Sequence, residues 1–228
     1  MAIPAQSPVM PHLSGYDPQF KSEASEYSPA KAKALLDLHG YVDKDGDGWR
    51  EQPDGQPLVI EYATSPDQTS RQLNELWKKN MDAIGIKMVF KTAKWPENLK
   101  AARNGKLQMW GVGSSASGGD GQGMLTRYYG PQAGNQNLSR FKLKAFDEIH
   151  DKLTVLPDGP ERLALFDQAK RLAVAYAPYK LHVHRYVADM MGPMVIGYRR
   201  PLFWSEWWHM VDADPALRPG AAAPAKRS

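Results

Sequence analysis

Cysteine is absent from this chain of 228 residues. Its absence excludes disulfide bonds, thiolate zinc sites, cysteine-ligated iron–sulfur clusters and a cysteine nucleophile. It does not decide the compartment, because periplasmic and cytosolic proteins can both lack cysteine. Long apolar runs are absent as well. The longest uncharged, mostly apolar run is residues 190–198, whereas about 20 apolar residues are needed to span a bilayer.

The N-terminal residues lack the pattern of a signal peptide. Residues 1–16 contain Pro4, Pro8 and Pro11 and no charged n-region. From this pattern we expect either a cytosolic protein or a chain that starts after its targeting signal.

Charge of one sign is not concentrated along the chain. Lys and Arg number 29 and Asp and Glu number 25, which gives a formal net charge of +4. Because this small excess is spread out, we expect no nucleic-acid partner. Apolar residues make up 42% and charged residues 24%, which are ordinary values for a globular chain of one large or two small domains.

The order of the predicted elements indicates an α/β fold. Residues 1–28 are rich in Pro, Ser and Gly without periodicity, which predicts an irregular arm. Further along, β-prone runs at 58–62 and 86–90 flank a helical pattern at 67–84. This strand–helix–strand order is typical of a βαβ unit with parallel strands and a right-handed crossover.

Other helices and strands follow from caps and periodicity. Ser28 is a predicted N-cap, with Pro29 as the first helical residue. Residues 204, 207 and 208 are tryptophans, which are typical of a core, an interface or a pocket wall. The remaining predictions are a helix at 96–104, a strand at 107–112, helices at 142–153 and 159–176, and a strand at 179–187.

A glycine-rich segment, residues 111–134, is the strongest candidate for a binding loop. Its glycines free backbone amides, and its hydroxyls and one carboxylate offer polar contacts beside flat aromatic surface. A flexible surface loop with incidental aromatics is an equally open interpretation. The segment does not fit a dinucleotide motif, because Ala116 stands where the third glycine is needed. The candidate ligand-binding residues are Trp110, Gly111, Ser114, Ser115, Asp120 and Tyr128.

An aspartate loop, residues 43–54, matches the start of a calcium-binding pattern. Asp43, Asp45 and Asp47 alternate and Gly48 permits a sharp turn, but Asp54 replaces the bidentate Glu that the pattern requires. A β-turn explains the same residues. Both interpretations stay open from the residues alone.

Catalytic and transition-metal sites are weakly indicated. His182 and His184 share one side of a predicted strand, yet no third ligand is fixed nearby, so ordinary strand residues are favoured. The chain has no G-x-S-x-G, P-loop or H-E-x-x-H motif. We expect neither enzymatic activity nor a cofactor.

The order of several segments resembles the family 5 solute-binding proteins of bacterial ABC transporters, which include oligopeptide-, dipeptide- and nickel-binding proteins. The resemblance begins with a helix A-K-A-L-L-D and continues into G-Y-V-D-K-D-G-D-G-W-R-E. In the family this second segment is a turn, so the resemblance makes a calcium site less expected. The segments that carry it are residues 30–51, 76–86, 141–178, 193–198 and 207–208.

The resemblance implies a type II periplasmic binding protein-like lobe with a mixed sheet and a βαβ unit. It implies a second-lobe α/β domain at 29–178, a segment at 179–212 that returns to the hinge and first lobe, and a frayed tail at 213–228. The loop between Trp110 and Asn137 would face the ligand cleft, which adds Asn137 to the candidates.

Asp120 would then meet a peptide's amino end, although the family's usual aspartate- and proline-containing loop is replaced here by S-S-A-S-G-G-D-G. The resemblance further implies a periplasmic, monomeric protein that delivers a peptide or small solute to an ABC permease. Because family members are longer, the chain is expected to be a C-terminal fragment.

Overall fold

The computed structural model describes residues 2–203 and 208–218. The helices are α1 (Pro29–Leu38), α2 (Gln68–Asp82), α3 (Trp95–Arg103), α4 (Gln122–Leu125), α5 (Lys144–Val155) and α6 (Pro160–Tyr176). The strands are β1 (Ala2–Pro4), β2 (Val59–Thr64), β3 (Lys87–Thr92), β4 (Met109–Trp110), β5 (Val183–Arg185), β6 (Val195–Ile196) and β7 (Asp212–Ala213). Single 3-10 turns occur at Glu23–Ser25, Thr126–Tyr128, Gly130–Gln132, Trp208–Met210 and Pro215–Leu217.

The predicted βαβ unit is present. Strand β2 lies between β3 and β4 and is parallel to both, so the three strands run in the order β3-β2-β4. The antiparallel pairings described, β1 with β5 and β6 with β7, form two separate two-stranded sheets. The α/β class is therefore confirmed, while the described three-stranded sheet is parallel throughout rather than mixed.

Several predicted element boundaries are confirmed by their caps. The Ser28 side chain accepts a hydrogen bond from the Lys31 N–H, and the Asp67 side chain caps α2 by accepting from the Ser70 N–H. The strands predicted at 107–112 and 179–187 are much shorter, because only β4 and β5 find partners within these stretches. Helix α4, which lies inside the glycine-rich segment, was not predicted from the glycine content.

Residues 2–28 contain little regular structure but pack into the protein. Val9 is fully buried and Leu13 is 5% exposed, and β1 pairs with β5 from the far end of the chain. Together with α4, α5 and α6 this segment forms the main core. Its buried members are Val9, Leu13, Met124, Leu125, Tyr128, Phe146, Leu153, Leu165, Phe166, Ala169 and Ala173.

Helices α1 and α2 are much less buried. Neither α1 nor α2 contains a buried residue, and Leu73 and Leu76 of α2 are 53% and 56% exposed. Trp204, Trp207 and most of the predicted tail at 213–228 lie outside the described residues, whereas Trp208 is exposed. The domain boundaries suggested by the sequence stay a prediction.

Candidate functional site

The carboxyl ends of the parallel strands define one edge of the three-stranded sheet. Strand β2 ends at Thr64 and β4 at Trp110, after which the glycine-rich segment starts. In open α/β sheets, ligands bind beyond the carboxyl ends of the strands because loops and helix starts converge there. Trp110 and Gly111 are thus placed where a binding site is expected.

A cavity of about 340 Å³ opens beside these residues. Residues from β2, α2, β4, the 138–140 turn and the 178–182 segment contribute to its wall. Ligand pockets in proteins begin at roughly 300 Å³, so the volume suits a small solute. We call it the aromatic cavity, because its lining includes Tyr62, Trp77, Trp110, Tyr179 and His182.

Ring contacts fix the positions of these aromatic side chains. The Trp77 ring lies 6.3 Å from Tyr62 and 5.0 Å from His182, which meets it edge-on. Trp110 packs against Trp95 at 4.9 Å. These ring–ring contacts restrict the orientations of the aromatic side chains in the wall.

Gly111 is needed to make room for the Tyr62 hydroxyl. A Cβ on Gly111 would lie 2.0 Å from the Tyr62 oxygen, so any larger residue would force the Tyr62 ring to move. Burial raises the pKa of Tyr62 above its usual range, so the hydroxyl stays protonated at neutral pH.

The charges around the aromatic cavity are all positive. Arg140 and Lys180 line it, and among the described residues no Asp or Glu does. The His182 side chain is exposed by surface area, yet desolvation and the nearby charge of Lys180 lower its pKa. The ring is therefore neutral at pH 7, and Arg140 and Lys180 are the charged residues of the described lining.

Asp120 lies outside this cavity and is engaged with the fold. Its carboxylate accepts hydrogen bonds from Arg162 at 2.7 Å and from the Gln122 N–H at 3.0 Å. Burial opposes ionisation, but these hydrogen bonds outweigh it and lower the pKa of Asp120. Arg162 also binds Asp158 and the Leu153 carbonyl, so the carboxylate helps to join the glycine-rich segment to α6.

Tyr128 and Asn137 are buried. Tyr128 is 3% exposed and packs on Phe146 and Tyr179, and its burial strongly raises its pKa. Asn137 is fully buried, and its amide donates to the carbonyls of Tyr129 and Phe141 at 3.0 and 2.7 Å. These contacts shape the loop from inside and leave no side-chain surface for a ligand.

The two serines are exposed on the glycine-rich segment. Ser115 and Asp120 line a second hollow of about 320 Å³, with Thr126, Arg127 and Gln136 on its far side. The seven candidates thus separate into three groups. Trp110 and Gly111 line the aromatic cavity, Ser114, Ser115 and Asp120 lie on the exposed loop, and Tyr128 and Asn137 lie in the interior.

Sequence reasoning did not single out Tyr62, Trp77, Arg140, Tyr179 or Lys180 as site residues. They come from four distant parts of the chain, and the sheet and its crossovers bring them together. Tyr62 carried one available signal, since it lies near the carboxyl end of a predicted parallel strand.

The aspartate loop forms a turn held by its own side chains. Asp43 accepts hydrogen bonds from the N–H groups of Gly46 and Gly48, and Asp47 accepts from that of Trp49. Within the described residues, the oxygens that come within 4.8 Å of one another belong to Asp43, Asp45 and Glu51. Glu51, rather than Asp54, completes this group, but its carboxylate already accepts from the Lys44 N–H at 2.7 Å.

His182 and His184 lie in different surroundings. His182 packs on Trp77, whereas His184 lies on β5 opposite Ile3. Neither belongs to a cluster of three metal-ligating side chains among residues 2–203 and 208–218. The same described part of the chain has no helix that is long and apolar enough to cross a membrane.

Comparisons with known proteins agree with this architecture. Residues 1–136 match the sequence profile of "Bacterial extracellular solute-binding proteins, family 5 Middle". Heme-binding protein A of Haemophilus influenzae is 27% identical over 212 residues, 92% of this chain and 37% of that protein. Di/tripeptide-binding protein 2 of Pseudomonas aeruginosa is 28% identical over 201 residues, 87% of this chain and 36% of that protein.

Solved structures show the same fold. A periplasmic binding protein from Helicobacter pylori in complex with the peptide STSA matches with a TM-score of 0.66 and 26% identity, over 80% of this chain and 33% of that one. A periplasmic oligopeptide-binding protein of Thermotoga maritima gives a TM-score of 0.77 at 16% identity, over 94% of this chain and 45% of that one. The predicted type II periplasmic binding protein fold is confirmed.

The chain spans a little over a third of the length of the curated relatives. The profile match nevertheless covers more than half of the chain, and it agrees with the sequence resemblance and with the fold. The chain belongs to the bacterial extracellular solute-binding proteins of family 5.

Proposed function

We propose that the protein binds a peptide or another small solute in the periplasm and delivers it to an ABC permease. In this role it acts as a monomer, without catalysis and without a cofactor. The observation that carries the proposal is the aromatic cavity at the carboxyl edge of the parallel sheet, in a chain that belongs to a family of solute-binding proteins.

The relatives are named for chemically different ligands. Their names include heme-binding and di/tripeptide-binding proteins, and the solved structures hold a peptide in one case and Fe(III)-EDTA in another. Because these ligands differ so much, the family alone does not select one. The lining of the cavity has to supply the selectivity.

The role of Asp120 as a partner for a peptide's amino end receives little support from the geometry. Both of its oxygens accept hydrogen bonds within the fold, one from Arg162 and one from the Gln122 N–H. Trp110 and Gly111 remain the best-supported of the sequence candidates, because they line the cavity.

Binding of a solute to the folded chain raises its melting temperature, by an amount that grows with the ratio of ligand concentration to Kd. We would screen the 228-residue chain by thermal shift against di- and oligopeptides, heme, nickel and other small solutes, and confirm hits by calorimetry. At least one solute is expected to raise the melting temperature. A chain that no solute in the set stabilises would contradict the proposed function.

A further inference from the structure

We infer that the aromatic cavity selects a planar ligand that carries a carboxylate, rather than one recognised through an ammonium group. This inference rests on the proposed function and narrows its ligand class. It starts from two properties that the same cavity combines, which are flat aromatic walls and unneutralised positive charge.

The walls suit a flat ring. Tyr62, Trp77 and Trp110 come from different elements, and each is held by a ring–ring contact. A planar π-system gains area against such side chains without ordering many rotatable bonds. The volume of about 340 Å³ corresponds to a ligand of one or two fused rings rather than a long peptide.

The positive charges lack carboxylate partners. No Asp or Glu oxygen in the described part of the chain forms an ion pair with Arg140 or Lys180. Arg140 lies against Gly105 of the lining and donates to the Arg103 carbonyl. The Lys180 ammonium donates to the carbonyl of Ala24, which is not part of the lining, so Arg140 carries the charge available to a ligand. A guanidinium retains further N–H donors after one such bond, and these match the geometry of a carboxylate.

A ligand ammonium group would find the opposite environment. The described lining contains no Asp or Glu, and the acidic sequence candidate, Asp120, pairs with Arg162 beside the second hollow. Burying an ammonium next to the Arg140 guanidinium costs free energy from both desolvation and repulsion. The walls accept a neutral ring of the same shape, but the Arg140 charge would add nothing to its binding.

Calorimetry with three matched probes tests this directly. The probes are 2-naphthoate, neutral 2-naphthamide and 2-naphthylmethylammonium, which share one ring system and differ in charge. Because a charge-assisted hydrogen bond is stronger than a neutral one, we expect 2-naphthoate to bind about tenfold more tightly than the amide. The ammonium probe is expected to bind more weakly than the amide.

Charge variants separate the cations from the walls. Arg140→Gln is expected to reduce the affinity for 2-naphthoate several-fold and to leave that for 2-naphthamide unchanged. Arg140→Met provides a second charge-removing variant if Arg140→Gln fails to fold. Lys152→Met is the matched control, because this exposed lysine of α5 lies outside the cavity.

Equal affinity for the three probes, tighter binding of the ammonium, or no binding of 2-naphthoate would each overturn the inference. If a peptide stabilises the chain while 2-naphthoate does not bind, the ligand class is wrong and the proposed function stands. If neither 2-naphthoate nor any solute of the screen binds, the proposed function fails as well.

Discussion

The two halves of the molecule are built differently. In one half, residues 2–28 with α4, α5 and α6 enclose a dense core in which Phe146, Leu153 and Ala169 are fully buried. In the other half, α2 packs beside the parallel sheet and buries no residue, and the sheet opens into the aromatic cavity. The difference separates the residues that hold the fold from those available to a ligand.

The glycine-rich segment crosses from one half to the other. Its start, at Trp110 and Gly111, belongs to the cavity, whereas Asp120, Tyr128 and Asn137 make their contacts with the packed half. The composition of the segment predicts a single loop. In the structure its start lines the cavity, and its later part contacts the packed half.

The largest effect is expected from Phe146→Ala in the packed half. Phe146 is fully buried against Tyr128 and Phe141, and truncating such a ring costs about 3–5 kcal/mol. Leu76→Ala in the sheet half, at 56% exposure, should change stability by less than about 1 kcal/mol. Urea unfolding of both variants measures the two changes, and equal losses would show that the halves do not differ.

Two glycines of the same segment are expected to respond differently to replacement by alanine. A Cβ on Gly121 would lie 2.2 Å from the Ser14 carbonyl oxygen, so Gly121→Ala forces backbone apart and should cost about 1–3 kcal/mol. Gly113→Ala is the control, because nothing lies within 4 Å of its added Cβ. Thermal unfolding should show a clear loss for position 121 and almost none for position 113.

A pH effect is expected from His150 in the packed half. Its Nδ1 is buried without a partner, its Nε2 lies 2.8 Å from Gln122 Nε2, and its ring stacks on Tyr129. Burial lowers the pKa of His150, and the charges of Asp151 and Asp147 only partly oppose this. The unfolded state therefore binds the proton first, and stability is lost as the pH falls below about 6.5.

Melting temperatures between pH 7.5 and 5.5 test this effect. His150→Gln should flatten the decrease relative to the parent chain. The other histidines with lowered pKa, His182 and His184, act in the same direction and remain in both proteins, so the difference reports His150. Parallel curves for the two proteins would contradict the assignment.

The smallest effect is expected from metal removal. The carboxylates of Asp43, Asp47 and Glu51 accept backbone N–H groups, so the aspartate loop is held without an ion. EDTA should therefore leave the melting temperature of the chain unchanged. A decrease in melting temperature that is reversed by added calcium would support the calcium-stabilised alternative.

Local patterns predicted much of the fold. The caps at Ser28 and Asp67, the βαβ order and the helices α5 and α6 depend on neighbouring residues, and each is present. The packing of Val9 into the core and the length of β4 depend on partners far along the chain, which a single sequence does not specify.

The candidate site was less predictable for the same reason. Trp110 and Gly111 begin the glycine-rich segment, whose glycines and aromatic residues predict a binding loop, so the sequence located them. Asp120 looked available because its partner, Arg162, is 42 residues away. The cavity walls assemble from segments as distant as Tyr62 and His182, and a local motif does not reveal them.

The central claim is that the cavity beside Trp110 binds the ligand while Asp120 serves the fold. Calorimetric titration of 2-naphthoate into Trp110→Ala and Asp120→Asn, at a temperature where both are folded, tests it most directly. We expect Trp110→Ala to weaken binding about tenfold or more, and Asp120→Asn to retain the parent affinity despite a lower melting temperature. Loss of binding in Asp120→Asn together with full affinity in Trp110→Ala would contradict it.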